Sequence, residues 1–261
     1  MIGSVTLALA LIGGPFEGTY ALQSGTPATT ASPAVTPLAG SRVRLDIAVR
    51  LDGTIVNEFD LDMTKRMHVI VVSDDFRSFA HLHPRALPDG HMVLEMAPPR
   101  GAYHVYADSE PHGVGQQVFR FDVAGGPSTT LRYARDDKMS IAAGPYVVRL
   151  STLRLRAGRE SQIALSITRD GAPAKDLQPY LGAAGHAVFL NVRDLTYVHV
   201  HPSVAGTPMA MSGMDMQSGP AQAGPHMVLH ANVREPGTYR LWFEFRGGAG
   251  LYTAPFVVTV R

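Results

Sequence analysis

The chain has 261 residues, 23 Lys and Arg against 22 Asp and Glu, a formal net charge of +1 and no cysteine. A near-neutral chain with no Lys/Arg cluster lacks the electrostatic footprint of a nucleic-acid or anionic-membrane binder. Without cysteine there are no disulfides, thiolate zinc sites, iron–sulfur clusters, blue-copper centre, cysteine nucleophile or lipoprotein anchor.

From the N-terminus, Ile2 to Ile12 is a mostly apolar run as long as the core of a signal peptide and too short to span a bilayer. Residues 1–22 therefore read as a signal-peptide-like segment, and the protein as exported to the periplasm, the cell surface or the medium. Met1-Ile2-Gly3 supplies no Lys or Arg ahead of the run, as expected where the true start lies upstream. Residues 23–40 are almost entirely Ser, Thr, Pro, Ala and Gly, which predicts a disordered tether.

Leu45-Asp46-Ile47-Ala48-Val49 alternates with period two, and β-rich runs recur at Val69–Val72, Val118–Val123, Tyr146–Leu150, Ala187–Val192, Tyr239–Phe245 and Phe256–Val260. No long segment has helical period. Short strands separated by Asp-Gly, Pro-Gly and Gly-Gly turns predict an all-β chain with two tandem immunoglobulin-like antiparallel β-sandwiches. Their expected bounds are 41–124 and 145–261, with a linker at 125–144.

The duplication is legible directly. With a shift of 118, residues 45–84 lie on 163–202 without a gap. Only six of the forty positions are identical: Asp52-Gly53 on Asp170-Gly171, His68 on His186, His81 on His199, His83 on His201 and Pro84 on Pro202. Each half thus carries H-x12-H-x-H-P, followed by a second shared motif, His91-Met92-Val93-Leu94 and His226-Met227-Val228-Leu229. After Pro84 the first half turns through Arg85–Gly90. The second inserts a loop at 203–225 containing Met209, Met211, Met214 and Met216.

Residues two apart on a strand share a face, so His81 and His83 project together, as do His199 and His201. Ala80, Leu82, Val198 and Val200 then face the core. A hairpin-like return from the preceding strand brings His68 or His186 beside its pair as a third ligand. Imidazoles without thiolate suit Cu(II) or Zn(II), and soft thioethers suit Cu(I), so the two features together favour copper, with zinc as the other candidate. His91 and His226 are secondary candidates, because strand packing alone explains the shared tetrapeptide. His104, His112 and His230 have no counterpart in the other half and read as ordinary surface or turn residues. Tyr103 and Tyr239, each two residues after a Gly, read as structural sandwich-corner tyrosines.

Enzyme templates fail on the residues. No glutamate follows His-x-His as a cupin needs, and neither G-x-S-x-G nor H-E-x-x-H occurs. A copper–zinc superoxide dismutase has a His-x-His strand on a β-sandwich, but this chain lacks its disulfide and remaining ligands. The expectation is a non-enzymatic exported protein that sequesters copper or delivers it to a metal-accepting partner. The alternative is a cell-surface structural or interaction module in which the histidines are structural.

The stretch from Asp170-Gly171-Ala172-Pro173 through Leu177-Gln178-Pro179-Tyr180-Leu181-Gly182 to Gly185-His186, with Tyr197-Val198-His199-Val200-His201-Pro202, resembles secreted bacterial proteins with YtkA-like, immunoglobulin-type domains. That resemblance covers roughly residues 145–261 and implies exported β-sandwich domains with a loose link to heavy-metal or copper handling. The first half departs from it: Phe59-Asp60-Leu61-Asp62-Met63-Thr64 stands where the second has Leu-Gln-Pro-Tyr-Leu-Gly.

Overall fold

The computed structural model describes residues 29–123, 138–206 and 223–261, which fall into two compact units divided between 123 and 138. The methionine loop, Met209 to Met216, and the signal-like segment lie outside the described residues.

The first unit contains β1 (Thr29–Pro37), β2 (Val43–Leu51), β3 (Thr54–Ile55), β4 (Phe59–Asp60), β5 (Met67–Ser73), β6 (Phe79–Leu82), β7 (Arg85–Ala86), β8 (Met92–Met96), β9 (Tyr103–Pro111) and β10 (Gln117–Val123). One sheet runs β1-β2-β8-β7 with β3 on β2. The other runs β10-β9-β5-β6 with β4 on β9.

The second unit contains β11 (Ser140–Ala143), β12 (Tyr146–Leu150), β13 (Arg154–Leu155), β14 (Glu160–Arg169), β15 (Ala172–Pro173), β16 (Leu177–Gln178), β17 (His186–Asn191), β18 (Tyr197–Val200), β19 (Ser203–Val204), β20 (His226–Asn232), β21 (Gly237–Gly247) and β22 (Gly250–Val260). Its sheets run β11-β12-β14-β20-β19 with β15 on β14, and β13-β22-β21-β17-β18 with β16 on β21. All pairings are antiparallel except the short parallel contact of β13 with β22.

Period two gives each sheet an apolar face, and the two faces close on one core. In the first unit Leu45, Ile47 and Val49 of β2 and Met92 and Leu94 of β8 pack against Val69 and Val71 of β5 and Val105 and Ala107 of β9. The second unit repeats this with Ile163, Leu165 and Ile167 against Ala187, Phe189, Leu241 and Phe243. Ala80, Leu82, Val198 and Val200 lie on these cores as their alternation requires.

Four sequence expectations need correction. Thr29–Pro37, inside the expected tether, is β1, in register with β2 from Thr29↔Leu51 to Pro37↔Val43. Poor apolar content does not prevent this, because an edge strand is held by backbone hydrogen bonds to a sheet that already exists, and the edge tolerates Pro33 and Pro37. Ser140–Ala143, inside the expected linker, is β11 and pairs with β12. Arg85–Gly90 begins with the short β7, and the inserted loop begins with β19, each on the opposite sheet from the His-x-His strand. Pro84 and Pro202 thus stand where the chain leaves one sheet for the other, and a residue without an N–H ends the ladder there. His104 is buried on β9 rather than on the surface: Nδ1 lies 2.7 Å from Asp122 Oδ1 and Nε2 3.3 Å from Asp74 Oδ1.

Candidate metal centre

The histidines occupy the face of β5–β6 and of β17–β18 turned away from each unit's own core. In the first unit β6 pairs with β5 so that His81 opposes Ile70, and His68 lies one step along the same face. His68 Nδ1 lies 2.8 Å from His81 Nε2, and His83 Nε2 lies 3.3 Å and 3.2 Å from those two atoms. Three ring nitrogens therefore converge on one point. The edge of a tetrahedron around an ion with metal–nitrogen bonds of 2.0–2.1 Å is about 3.3 Å; the two separations that involve His83 match such an edge, while the 2.8 Å between His68 and His81 is shorter, at N–H···N hydrogen-bond distance. Protons can bridge the nitrogens only in pairs, whereas a cation engages all three lone pairs at once.

In the second unit His199 opposes Val188, and His186 Nδ1 approaches His199 Nε2 at 3.3 Å. The His201 ring centroid lies 4.6 Å from that of His186 and 4.6 Å from that of His199. The same three positions come together in both units. His68, His81, His186 and His199 are buried, while His83 and His201 are partly exposed.

What orients the first histidine was invisible in the sequence. Asp62 and Lys65 close a tight turn, with Asp62 N–H donating to Lys65 O and Lys65 N–H donating to Asp62 O, each at 3.0 Å. The Asp62 carbonyl, with its second lone pair, also accepts from His68 Nε2–H at 3.3 Å. In the second unit the Tyr180 carbonyl accepts from Ala183 N–H at 3.1 Å and from His186 Nε2–H at 3.1 Å. Met63 and Leu181, which correspond, both hold a left-handed φ, 56° and 52°. The segments that diverge in sequence thus make one turn. A proton on Nε2 leaves the Nδ1 lone pair facing the other imidazoles, the arrangement that orients metal-ligating histidines through their outer partners.

Burial disfavours the imidazolium. It lowers His68, against the opposing pull of the Asp62 carboxylate. His83 falls to about 3, first through burial and then through His68 and Lys65. Both rings are neutral at pH 7 and able to donate a lone pair.

The other named histidines do not join the triads. His91 Nδ1 lies 2.6 Å from Asp46 Oδ1, on the opposite sheet, and His226 is exposed at the start of β20. His112 pairs with Asp60 and His230 with Glu160 at the surface. Among groups that sequence reasoning missed, Asp108 opposes His68 in the β5–β9 register and Glu244 opposes His186 in the β17–β21 register. Both are buried, and burial pushes the Glu244 carboxyl up to about 8. Carrying the Gly-x-Tyr alignment, Tyr103 on Tyr239, five residues further would have found the pair.

A family model described as a domain of unknown function, DUF8832, matches residues 26–125 and again 141–261. The chain belongs to the DUF8832 family. Its two DUF8832 segments coincide with the two units, and the first begins at residue 26, ahead of β1. No curated protein matches the chain. Among solved structures it is similar to a 1.5-MDa bacterial ice-binding adhesin (10% identity, 90% of this chain and 66% of that one, TM-score 0.26). It is also similar to a Salmonella alpha-2-macroglobulin variant (15%, 93% and 16%, TM-score 0.25) and a Bacteroides cellulosilyticus glycosyl hydrolase of family 2 (9%, 90% and 29%, TM-score 0.22). The chain spans less than two thirds of each of these structures. Among the described residues no helix is long and apolar enough to cross a membrane.

Proposed function

We propose that each unit is a transition-metal site, copper before zinc, and that the protein sequesters metal or passes it on in an exported compartment without catalysing a reaction. The observation that carries this reading is the convergence of His68 Nδ1, His81 Nε2 and His83 Nε2 within 3.3 Å, with the tautomer of the first ring set by a backbone carbonyl. His186, His199 and His201 would form the equivalent site. The methionine loop adds a soft donor set suited to Cu(I) beside imidazoles suited to Cu(II), and the resemblance to YtkA-like domains points the same way.

An interaction module is the second reading, favoured by the apolar residues that share the histidine face: Ile70 and Val72 in the first unit, Val188, Leu190 and Trp242 in the second, all buried yet none part of its unit's clustered core. Metal content separates the two. The full chain, loaded separately with Cu(II), Cu(I) and Zn(II) and dialysed, should retain up to one ion per triad. Absence of stoichiometric metal from the unsubstituted chain would overturn the metal reading and leave the interaction module.

A further inference from the structure

A dication held by three neutral imidazoles keeps its full double charge. In a buried site that charge is costly unless an anion lies near. The carboxyls that β9 and β21 contribute answer this requirement. Directly opposed residues on antiparallel strands share a face, with Cβ atoms about 4.5–5.5 Å apart, so Asp108 flanks His68 and Glu244 flanks His186 on the strand opposite the His-x-His pair.

Both acids are deeply buried. Asp108 is 2% exposed and Glu244 is 4% exposed, and Glu244 sits within Leu241-Trp242-Phe243-Glu244-Phe245, whose other four residues are apolar and buried. An acid in that environment opposes stability, yet both units place one at the corresponding register position. In the first unit Gln116 Nε2 donates to Asp108 Oδ1 at 2.9 Å, and this neutral donor helps orient the carboxyl.

We propose that Asp108 and Glu244 are positioning residues that balance the charge of the ion held by the adjacent triad and so select a divalent over a monovalent ion, without ligating it. This inference rests on the metal reading. Outer groups of this kind typically change affinity by about 10–100-fold, and a charge-balancing role adds that the loss scales with the charge of the ion.

The test uses the full chain with the first triad removed by His81→Ala/His83→Ala, so that the second site is read alone. Zn(II) and Ag(I) affinities are measured by competition in that background with Glu244 retained, with Glu244→Gln and with Glu244→Asp. The expected result is a loss of about 10–100-fold for Zn(II) in Glu244→Gln, a much smaller change for Ag(I), and near-complete rescue by Glu244→Asp. Asp108→Asn in the reciprocal His199→Ala/His201→Ala background tests the first unit independently. Unchanged Zn(II) affinity in both carboxamide variants, or equal losses for Zn(II) and Ag(I), would overturn the proposal while leaving the metal reading intact. Failure of the unsubstituted chain to bind Cu(II), Cu(I), Zn(II) or Ag(I) would sink the metal reading itself, and this proposal with it.

Discussion

The two units solve one problem with different side chains. In the first, the turn before the leading histidine is Asp62-Met63-Thr64-Lys65; in the second it is Tyr180-Leu181-Gly182-Ala183, and no residue is shared. Yet each turn closes the same reciprocal pair of backbone hydrogen bonds, holds its second residue at positive φ and aims one carbonyl at Nε2 of the histidine six residues after its first residue. Because the orienting group belongs to the backbone, side chains at the turn were free to change. The imidazoles themselves were not, since no other side chain presents a nitrogen lone pair while donating from a second nitrogen to a carbonyl.

The largest effects come from the imidazoles. His81→Ala/His83→Ala and His199→Ala/His201→Ala should each remove one equivalent of bound metal, and the quadruple variant both, measured by metal analysis after dialysis. Loss of both equivalents from either double variant would break the picture of two equal and separate sites.

A smaller effect appears in the metal-free chain as pH changes. The folded pKa of His83, about 3, lies below its unfolded value of 6.5, so the unfolded state binds more protons between these values. Stability from this group is present above pH 6.5 and is lost as pH falls towards 3. Glu244 has the opposite sign. Its folded value, about 8, lies above the ordinary 4.5, so its contribution is lost as pH rises from 4.5 to 8. The melting temperature of the metal-free protein should therefore pass through a maximum between the two limbs. Glu244→Gln should raise the alkaline limb and leave the acid one, and an unchanged alkaline limb would contradict the burial argument.

Much of this was legible beforehand because period two and exact repetition are local signals. His68, His81 and His83 could be brought together from strand alternation and one hairpin return, and the core faces of Ala80, Leu82, Val198 and Val200 follow from the same rule. What escaped was information carried by pairing. β1 has little apolar content and owes its place to the β2 edge, so composition misread it. Asp62 and Tyr180 act through their carbonyls, which leave no trace in residue identity. Asp108 and Glu244 are separated from the histidines by tens of residues and meet them only through register.

The sandwich-corner tyrosines give a further contrast between the units, about a kcal/mol in size. Tyr239 Oη donates to the Glu235 carbonyl at 2.8 Å, whereas the buried Tyr103 hydroxyl has no hydrogen-bond partner among the described residues. Tyr239→Phe should cost about 0.5–1.5 kcal/mol, while Tyr103→Phe should be neutral or slightly stabilising, since it removes an unsatisfied buried group. Denaturant melts of the two variants read the difference. A large loss from Tyr103→Phe would show that its hydroxyl is tied down after all.

The smallest expected effect is the most specific to the comparison. Asp62 Oδ2 lies 3.6 Å from His68 Nε2, but the hydrogen bond that sets the ring is made by the Asp62 carbonyl. Tyr180 likewise contributes its carbonyl, with its ring edge-on to His186 at 5.3 Å between centroids. Asp62→Asn and Tyr180→Phe leave both carbonyls in place, so metal affinity should change by less than the roughly tenfold that loss of an outer partner produces. Asp62→Pro perturbs the backbone instead: proline has no N–H to donate to the Lys65 carbonyl and its φ is fixed. That variant should lower affinity in the first unit and leave the second untouched. Equal losses from Asp62→Asn and Asp62→Pro would place the orienting group in the carboxylate, and the two turns would then be different devices rather than one.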